Sequence, residues 1–177
     1  RIKLAALALK AMHLIILPNF IQRGSPKEPA LAARFFRSFF RFMSPWLVKQ
    51  EPSTYPFSLF LKEKKVVWDG VRNYQARNFL RAMKLGDSVL YYHSVDERAV
   101  VGLAKVTRTA FPDPTSPKGE EWTSVILSAV RAFPHPVTLD QLKSDKKFSE
   151  LLLLRQSRLS VMPVPPKLFS AIVRMGS

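Results

Sequence analysis

The 177-residue sequence contains no cysteine. That excludes disulfides, cysteine-ligated zinc and thiol catalysis, and it suits a reducing compartment. Histidine is also scarce. His13, His93 and His135 share no spacing that would bring two of them to one metal ion. The six glycines (24, 70, 86, 102, 119 and 176) never cluster, so neither a P-loop nor a dinucleotide fingerprint can be written. No Gly-x-Ser-x-Gly elbow occurs. Acids are few, 13 against 28 Lys and Arg. Glu51, Asp69, Asp87 and Asp113 stand singly, and the sequence pairs no two of them. His93 and Ser94 are neighbours on an expected strand and point to opposite faces, the wrong arrangement for a nucleophile and its base. No catalytic residue, metal site or cofactor is expected.

What the chain has in quantity is positive charge, +15 overall. A basic domain of this size attracts polyanions, with nucleic acid and an anionic membrane surface as the first candidates. Residues 1–42 hold eight Lys/Arg and one acid. Their apolar run "LAALALKAMHLIIL" is broken by Lys10 and His13 and is shorter than a membrane span. Three readings of residues 1–42 stand open: a targeting peptide, mitochondrial in type; a membrane-surface amphipathic segment; or sequence outside the native coding region, with Met43 as the start, which we favour. A membrane partner is not expected. The domain is taken as 43–177 and residues 1–42 as a poorly ordered extension.

Apolar residues make up 47% of the chain, enough for a core. From Met43 the pattern is mixed. "PWLVKQ", "SVLYYHS", "RAVVGLAKVTRTAF", "WTSVILSAVRAF" and "SRLSVMPV" read as strands, with "DER" as a hairpin turn and "DPTSPKGE" as a loop. "VRNYQARNFLRAMKLGD" reads as a helix closed by Gly86 at C′. Ala76, Phe79, Leu80 and Met83 form its buried face, and Asn73, Arg77, Arg81 and Lys84 lie opposite. "TLDQLK" opens a helix on a Thr138/Gln141 capping box. "PPKLFSAIVRM" is a closing helix with proline in its first turn. The expectation is a small curled sheet or barrel with helices at its ends.

Residues 68–94 add binding chemistry. Trp68, Tyr74, Tyr91 and Tyr92 supply flat rings, and Asn73, Arg77 and Asn78 supply planar donors and acceptors. Extruded bases are read with such groups, a ring stacking on the base while amides bond its edge. The competing reading is that the rings are core residues and the arginines a solvated helix face.

The motifs "WLVKQEPSTY" (46–55), "WDGVRNYQARNFLRAMKLGD" (68–87), "VLYYHS" (89–94), "VGLAKV" (101–106), "FPDPT" (111–115) and "LLRQSRLSVMPV" (153–164) resemble, in this order, the EVE domain family. The resemblance runs from about Pro45 to Val173. It implies an α+β fold, a PUA-like curled β-barrel flanked by short helices. It also implies a monomeric, non-enzymatic reader of modified bases in nucleic acid, with modified cytosine in DNA as the leading class and RNA as a further one. The compartment would be the bacterial cytoplasm or the eukaryotic nucleus.

Carried over to this chain, the base pocket would comprise Trp46 and Lys49 from the first strand, then Trp68, Asp69 and Gly70 as wall and turn. Asn73 and Arg77 would face the ligand. Tyr92, His93 and Ser94 would line the sheet side, Asp113 would close a rim, and Gln156 and Ser157 would add polar groups. Arg72, Arg81, Arg155 and Arg158 would meet the nucleic-acid backbone. The sequence departs from the family pattern at Gln50, where Ser is usual, at Met162, where Gln is usual, and in "WTSVILSAV", which lacks the usual acid. An alternative reading is an enzyme acting on modified nucleotides or RNA, for which Asp69 or His93 would have to be the base. A third is an interaction protein with no ligand.

Overall fold

The structure is a computed structural model that describes residues 45–177. The expectations for residues 1–42 lie outside the described residues. The described chain forms β1 (Trp46–Gln50), α1 (Phe57–Glu63), β2 (Lys65–Trp68), α2 (Tyr74–Ala82), β3 (Ser88–His93), β4 (Ala99–Pro112), β5 (Thr123–Thr138), α3 (Leu139–Ser144), a 3₁₀ turn (Lys146–Phe148), α4 (Leu152–Arg155), β6 (Val161–Pro163) and α5 (Pro166–Met175).

The six strands make one mixed sheet in the order β2-β5-β4-β3-β1-β6. β1 runs parallel to β3, with Lys49 opposite Tyr92, and antiparallel to β6, with Val48 opposite Val161. The α+β, curled PUA-like reading holds, but the sheet is open at β2 and β6 and is not a closed barrel. All of Val89 to His93 is buried, without alternation. That is the signature of a strand covered on both faces.

Tyr91 is the centre of the core. Its ring lies 5.0 Å from Phe57, 5.7 Å from Phe60 and 5.6 Å from Trp68, separations at which aromatic pairs add roughly 0.5–1.5 kcal/mol beyond area burial. Its hydroxyl donates to the Tyr55 carbonyl at 2.7 Å. Burial raises its pKa, so the phenol stays neutral. Gly102 is required by this packing: a Cβ there would stand 2.2 Å from the Phe57 ring and 2.8 Å from the Arg131 carbonyl.

The hairpin between β3 and β4, the Thr138/Gln141 capping box and Pro166 in the first turn of α5 match expectation. α2 is shorter than its pattern predicted. Asn73 caps its start, and its end is set by Asp87, whose carboxylate accepts the Lys84 N–H at 2.9 Å and the Trp46 indole N–H at 2.7 Å. Gly86 is therefore not a C′ residue. It sits in the turn beyond, at φ +89°, donating to the Val106 carbonyl. The strand expected over "SRLSVMPV" shrinks to Val161–Pro163, because Leu152–Arg155 is a helical turn and the segment after it loops back to β1. α1 and β2 were not foreseen. Seven and four residues are too few to display a period.

Candidate base-binding site

The C-terminal end of β1 separates two depressions. Lys49, Gln50 and Ser160 belong to both. The first, about 410 Å³, is walled by Trp68, the loop Asp69 to Arg72, Thr54 and Tyr55. The second, about 500 Å³, is walled by Tyr92, Ser94, Arg98, Leu153, Ser157 and Arg158. Both are of ligand-pocket size.

Trp68 ends β2 and is 6% exposed, set edge-on against Tyr91. The chain then turns at Gly70, φ +69°, a conformation that glycine adopts without the Cβ penalty. Asp113, 4% exposed, pins this turn from behind. Its carboxylate accepts from the Gly70 N–H (2.9 Å), Arg72 Nη1 (2.8 Å), the Thr115 N–H (2.7 Å) and the Thr115 hydroxyl (2.7 Å). Burial alone would raise its pKa, but the donors from Thr115, Arg72 and Gly70 outweigh it and hold the carboxyl at about 2. Asp113 is therefore a latch between the two loops rather than a ligand-facing rim residue.

Lys49 projects between the depressions. Its ammonium donates to the Ser157 carbonyl at 2.5 Å and lies 5.9 Å from the Tyr92 ring. Burial lowers its pKa. Gln50 accepts the Glu51 N–H through Oε1, so its amide N–H₂ is what remains for a ligand.

Several of the expected pocket residues have other duties. Trp46 is a core residue that lines neither depression; Asp87 takes its only polar group. Asn73 spends its side-chain oxygen on the Ala76 N–H at 2.9 Å, capping α2 instead of facing a ligand. His93 is buried, with Nε2 accepting the Phe57 N–H at 3.1 Å and Nδ1 2.6 Å from Glu97. Since Nε2 must accept, Nδ1 carries the proton, and both ring nitrogens are engaged. Gln156 lines neither depression. Arg155 donates to the Ser149 carbonyl. Arg81 bonds the Thr123 hydroxyl at 3.0 Å and the Glu121 carbonyl at 3.3 Å. Arg77 lies against Tyr74 and Trp122. Lys49, Trp68, Asp69 and Gly70, with Arg72, are brought together around the first depression, and Lys49, Tyr92, Ser94 and Ser157, with Arg158, around the second.

Sequence reasoning missed Ser160, Thr54 and Arg98. Ser160 is the polar residue between Leu159 and Val161, both buried. That interruption was the available signal. Among the described residues no group of His, Asp and Glu is placed to hold a metal ion, and no helix is long and apolar enough to cross a membrane.

The family model for the EVE domain matches residues 44–175. The chain belongs to the EVE domain family. Human thymocyte nuclear protein 1 is 34% identical over 165 aligned residues, 75% of this chain and 73% of that protein. A crystal structure of a protein from Agrobacterium tumefaciens matches this EVE domain at 38% identity and a TM-score of 0.73, over 76% of this chain and 93% of that one. A crystal structure of human thymocyte nuclear protein 1 in complex with DNA containing 5-methylcytosine matches at 31% identity and a TM-score of 0.69, covering 76% of this chain and 98% of that one.

Proposed function

We propose that this EVE domain is a non-enzymatic, monomeric DNA-binding module that takes a modified cytosine out of the stack into the depression walled by Trp68. The observation that carries this reading is the slot itself. An indole, a glycine turn pinned by Asp113 and the polar groups of Lys49, Gln50 and Ser160 converge on one concave surface, preorganised before any ligand arrives. Support comes from the human relative, which was crystallised with 5-methylcytosine DNA.

The chemistry fits a pyrimidine. Trp68, Val66, Val67 and Val71, which line the depression, give apolar surface for the ring and its substituent. Asp69 supplies an acceptor for the exocyclic amine of cytosine, the pairing that carboxylates make. Lys49 and the Gln50 amide supply donors for the carbonyl oxygen. Arg98, Arg158 and Lys49 around the second depression give the flanking phosphates their cations. The engagement of both His93 nitrogens argues against its serving as a general base, which favours binding over catalysis. In a eukaryotic cell the compartment that goes with this reading is the nucleus.

The test is fluorescence anisotropy with matched duplexes, unmodified and carrying 5-methyl- or 5-hydroxymethylcytosine, at two salt concentrations. A preference of about tenfold, roughly 1.4 kcal/mol, that survives added salt supports base readout. Equal binding that collapses with salt reduces the interaction to phosphate attraction and defeats the proposal.

A further inference from the structure

Beside the Trp68 depression lies an aromatic shelf that the base-reading site does not use. Tyr74, the first residue of α2, stacks on Trp122, the residue before β5, at 5.1 Å between ring centroids and 29° between planes. The Arg77 guanidinium lies 4.9 Å from the Tyr74 ring and 5.5 Å from the Trp122 ring. A cation on the far side of Tyr74 would be much farther from Trp122, so Arg77 sits on the Trp122 side or at the edge. The outer face of Tyr74 is thus left open, and the residue is 68% exposed.

The shelf is stiff. Trp122 is buried, and its indole N–H is bonded to Glu120. Arg77 Nη1 donates to the Glu121 carbonyl at 3.1 Å, while its Nε is buried with no hydrogen-bond partner. A fold holds a desolvated guanidinium nitrogen in that way only at a cost, and what the arrangement secures is the fixed orientation of a ring whose other face meets solvent. Large aromatics are normally covered, and a rigid exposed one is suited to a flat partner.

Arg72 joins the shelf to the base site. It lines the Trp68 depression, and its guanidinium lies 5.5 Å from the Trp122 ring. Two of the three arginines at the shelf are paired, Arg72 to Asp113 and Arg81 to Glu121, and Glu120 adds a carboxylate beside Trp122. A locally neutral surface attracts phosphate weakly. What it offers is a ring face.

We propose that Tyr74 is a stacking platform for the nucleotide next to the extruded base, so that the domain engages two consecutive nucleotides, one by its edge in the Trp68 depression and one by its face on Tyr74. This rests on the base-reading function proposed above. Extruding one base leaves its neighbour with an unstacked face, and an aromatic ring replaces the lost stacking without regard to sequence.

The experiment is a cycle of protein and DNA variants read by anisotropy, using the full chain. The DNA carries one 5-methylcytosine with its neighbour on either side present or replaced by an abasic spacer. The proteins are wild type, Tyr74→Ala, Tyr74→Leu, Tyr74→Phe and Trp68→Ala. 5-Methyl-2′-deoxycytidine monophosphate alone serves as the probe of the base depression. Tyr74→Ala and Tyr74→Leu are expected to weaken DNA binding at least about fivefold, the lower bound for a stacked base, by an amount that persists in high salt. Tyr74→Phe restores binding, and mononucleotide binding is unchanged in all three. An abasic spacer on one side costs wild type a similar factor and costs Tyr74→Ala nothing further, because both changes delete the same contact. If Tyr74→Ala binds DNA as tightly as wild type, or if the two losses add, the platform is overturned while Trp68-dependent base preference stands. If Trp68→Ala retains wild-type preference for the modified base, the base-reading function falls, and the platform falls with it.

Discussion

The two depressions on either side of Lys49 share one edge and differ in how their walls are held. The wall on the Trp68 side is anchored from behind: the indole packs on Tyr91, and Asp113 binds the turn at Gly70 through one of the four hydrogen bonds its carboxylate accepts. The wall on the Tyr92 side ends in exposed, long side chains, Arg98 and Arg158, with Ser157 also exposed beside them in the lining. A preorganised wall discriminates shape, because the ligand does not meet the cost of ordering it. A fringe of flexible cations attracts charge from a distance and discriminates little. Under the proposed function, specificity belongs to the first depression and general affinity to the second.

Replacing Trp68 tests that division most severely. Trp68→Ala removes a buried indole, so it is expected to lower stability by about 3–5 kcal/mol and to abolish the preference for modified cytosine. Thermal melts beside the binding titration separate the two losses, and a folded variant with intact preference would erase the distinction between the depressions. Asp113→Asn comes next. It leaves the Gly70 and Arg72 donors facing a neutral amide and should cost about 2–3 kcal/mol, the scale of hydrogen bonds to a charged group, with a partial loss of base preference.

The same latch carries a pH dependence. Its carboxyl lies at about 2 in the folded protein, below the ordinary value of 3.8. The stabilisation is therefore present in full above about pH 4 and is lost as the pH falls toward 2. Circular dichroism melts across that window should show a steeper decline for wild type than for Asp113→Asn. Equal slopes would remove the latch from the account.

On the other side, Arg158→Ala should weaken binding to modified and unmodified duplex by the same few-fold factor. It should also reduce the slope of log affinity against log salt by about one, the signature of one lost phosphate contact. A change in base preference instead would move specificity to the Tyr92 side. The smallest effect belongs to Asn73. Asn73→Ala removes the cap of α2 and should cost about 1 kcal/mol in stability, visible as a lowered urea midpoint. Base preference should be unchanged, as expected of a residue that the sequence placed at the ligand and the structure places at a helix end.

The misplacements follow a rule. Asp113, His93 and Trp46 are polar or aromatic residues in the right neighbourhood, and each is bonded to something whose position in the chain gave no clue; Asn73 differs, because the Ala76 N–H it accepts lies only three residues on, a local helix cap. The Asp113 latch spans 43 residues to Gly70, His93 reaches 36 residues to Phe57, and Trp46 reaches 41 to Asp87. A binding residue and a supporting residue look alike in sequence when both must be polar. Only the direction of the hydrogen bond tells them apart. Tyr74 shows the reverse case: it was legible as a flat ring, and its exposure and its stack on Trp122 were not.

Legible from residue order were the kit and the succession of parts: a basic, cysteine-free domain, three strands (β3, β4 and β5), the buried stripe of Ala76, Leu80 and Met83, the capped helix after Thr138, and motifs specific enough to place the family. These are local properties, set by periodicity, turn chemistry and composition within a dozen residues. The tertiary structure alone decided that β1 lies between β3 and β6, and therefore that Lys49, Gln50 and Ser160 stand together between two depressions. The physical reason is that pairing of β1 with β3, 43 residues on from Trp46 to Val89, and with β6, 117 residues on from Trp46 to Pro163, is chosen by the burial of the whole sheet. No stretch of chain short enough to be read on its own contains that choice.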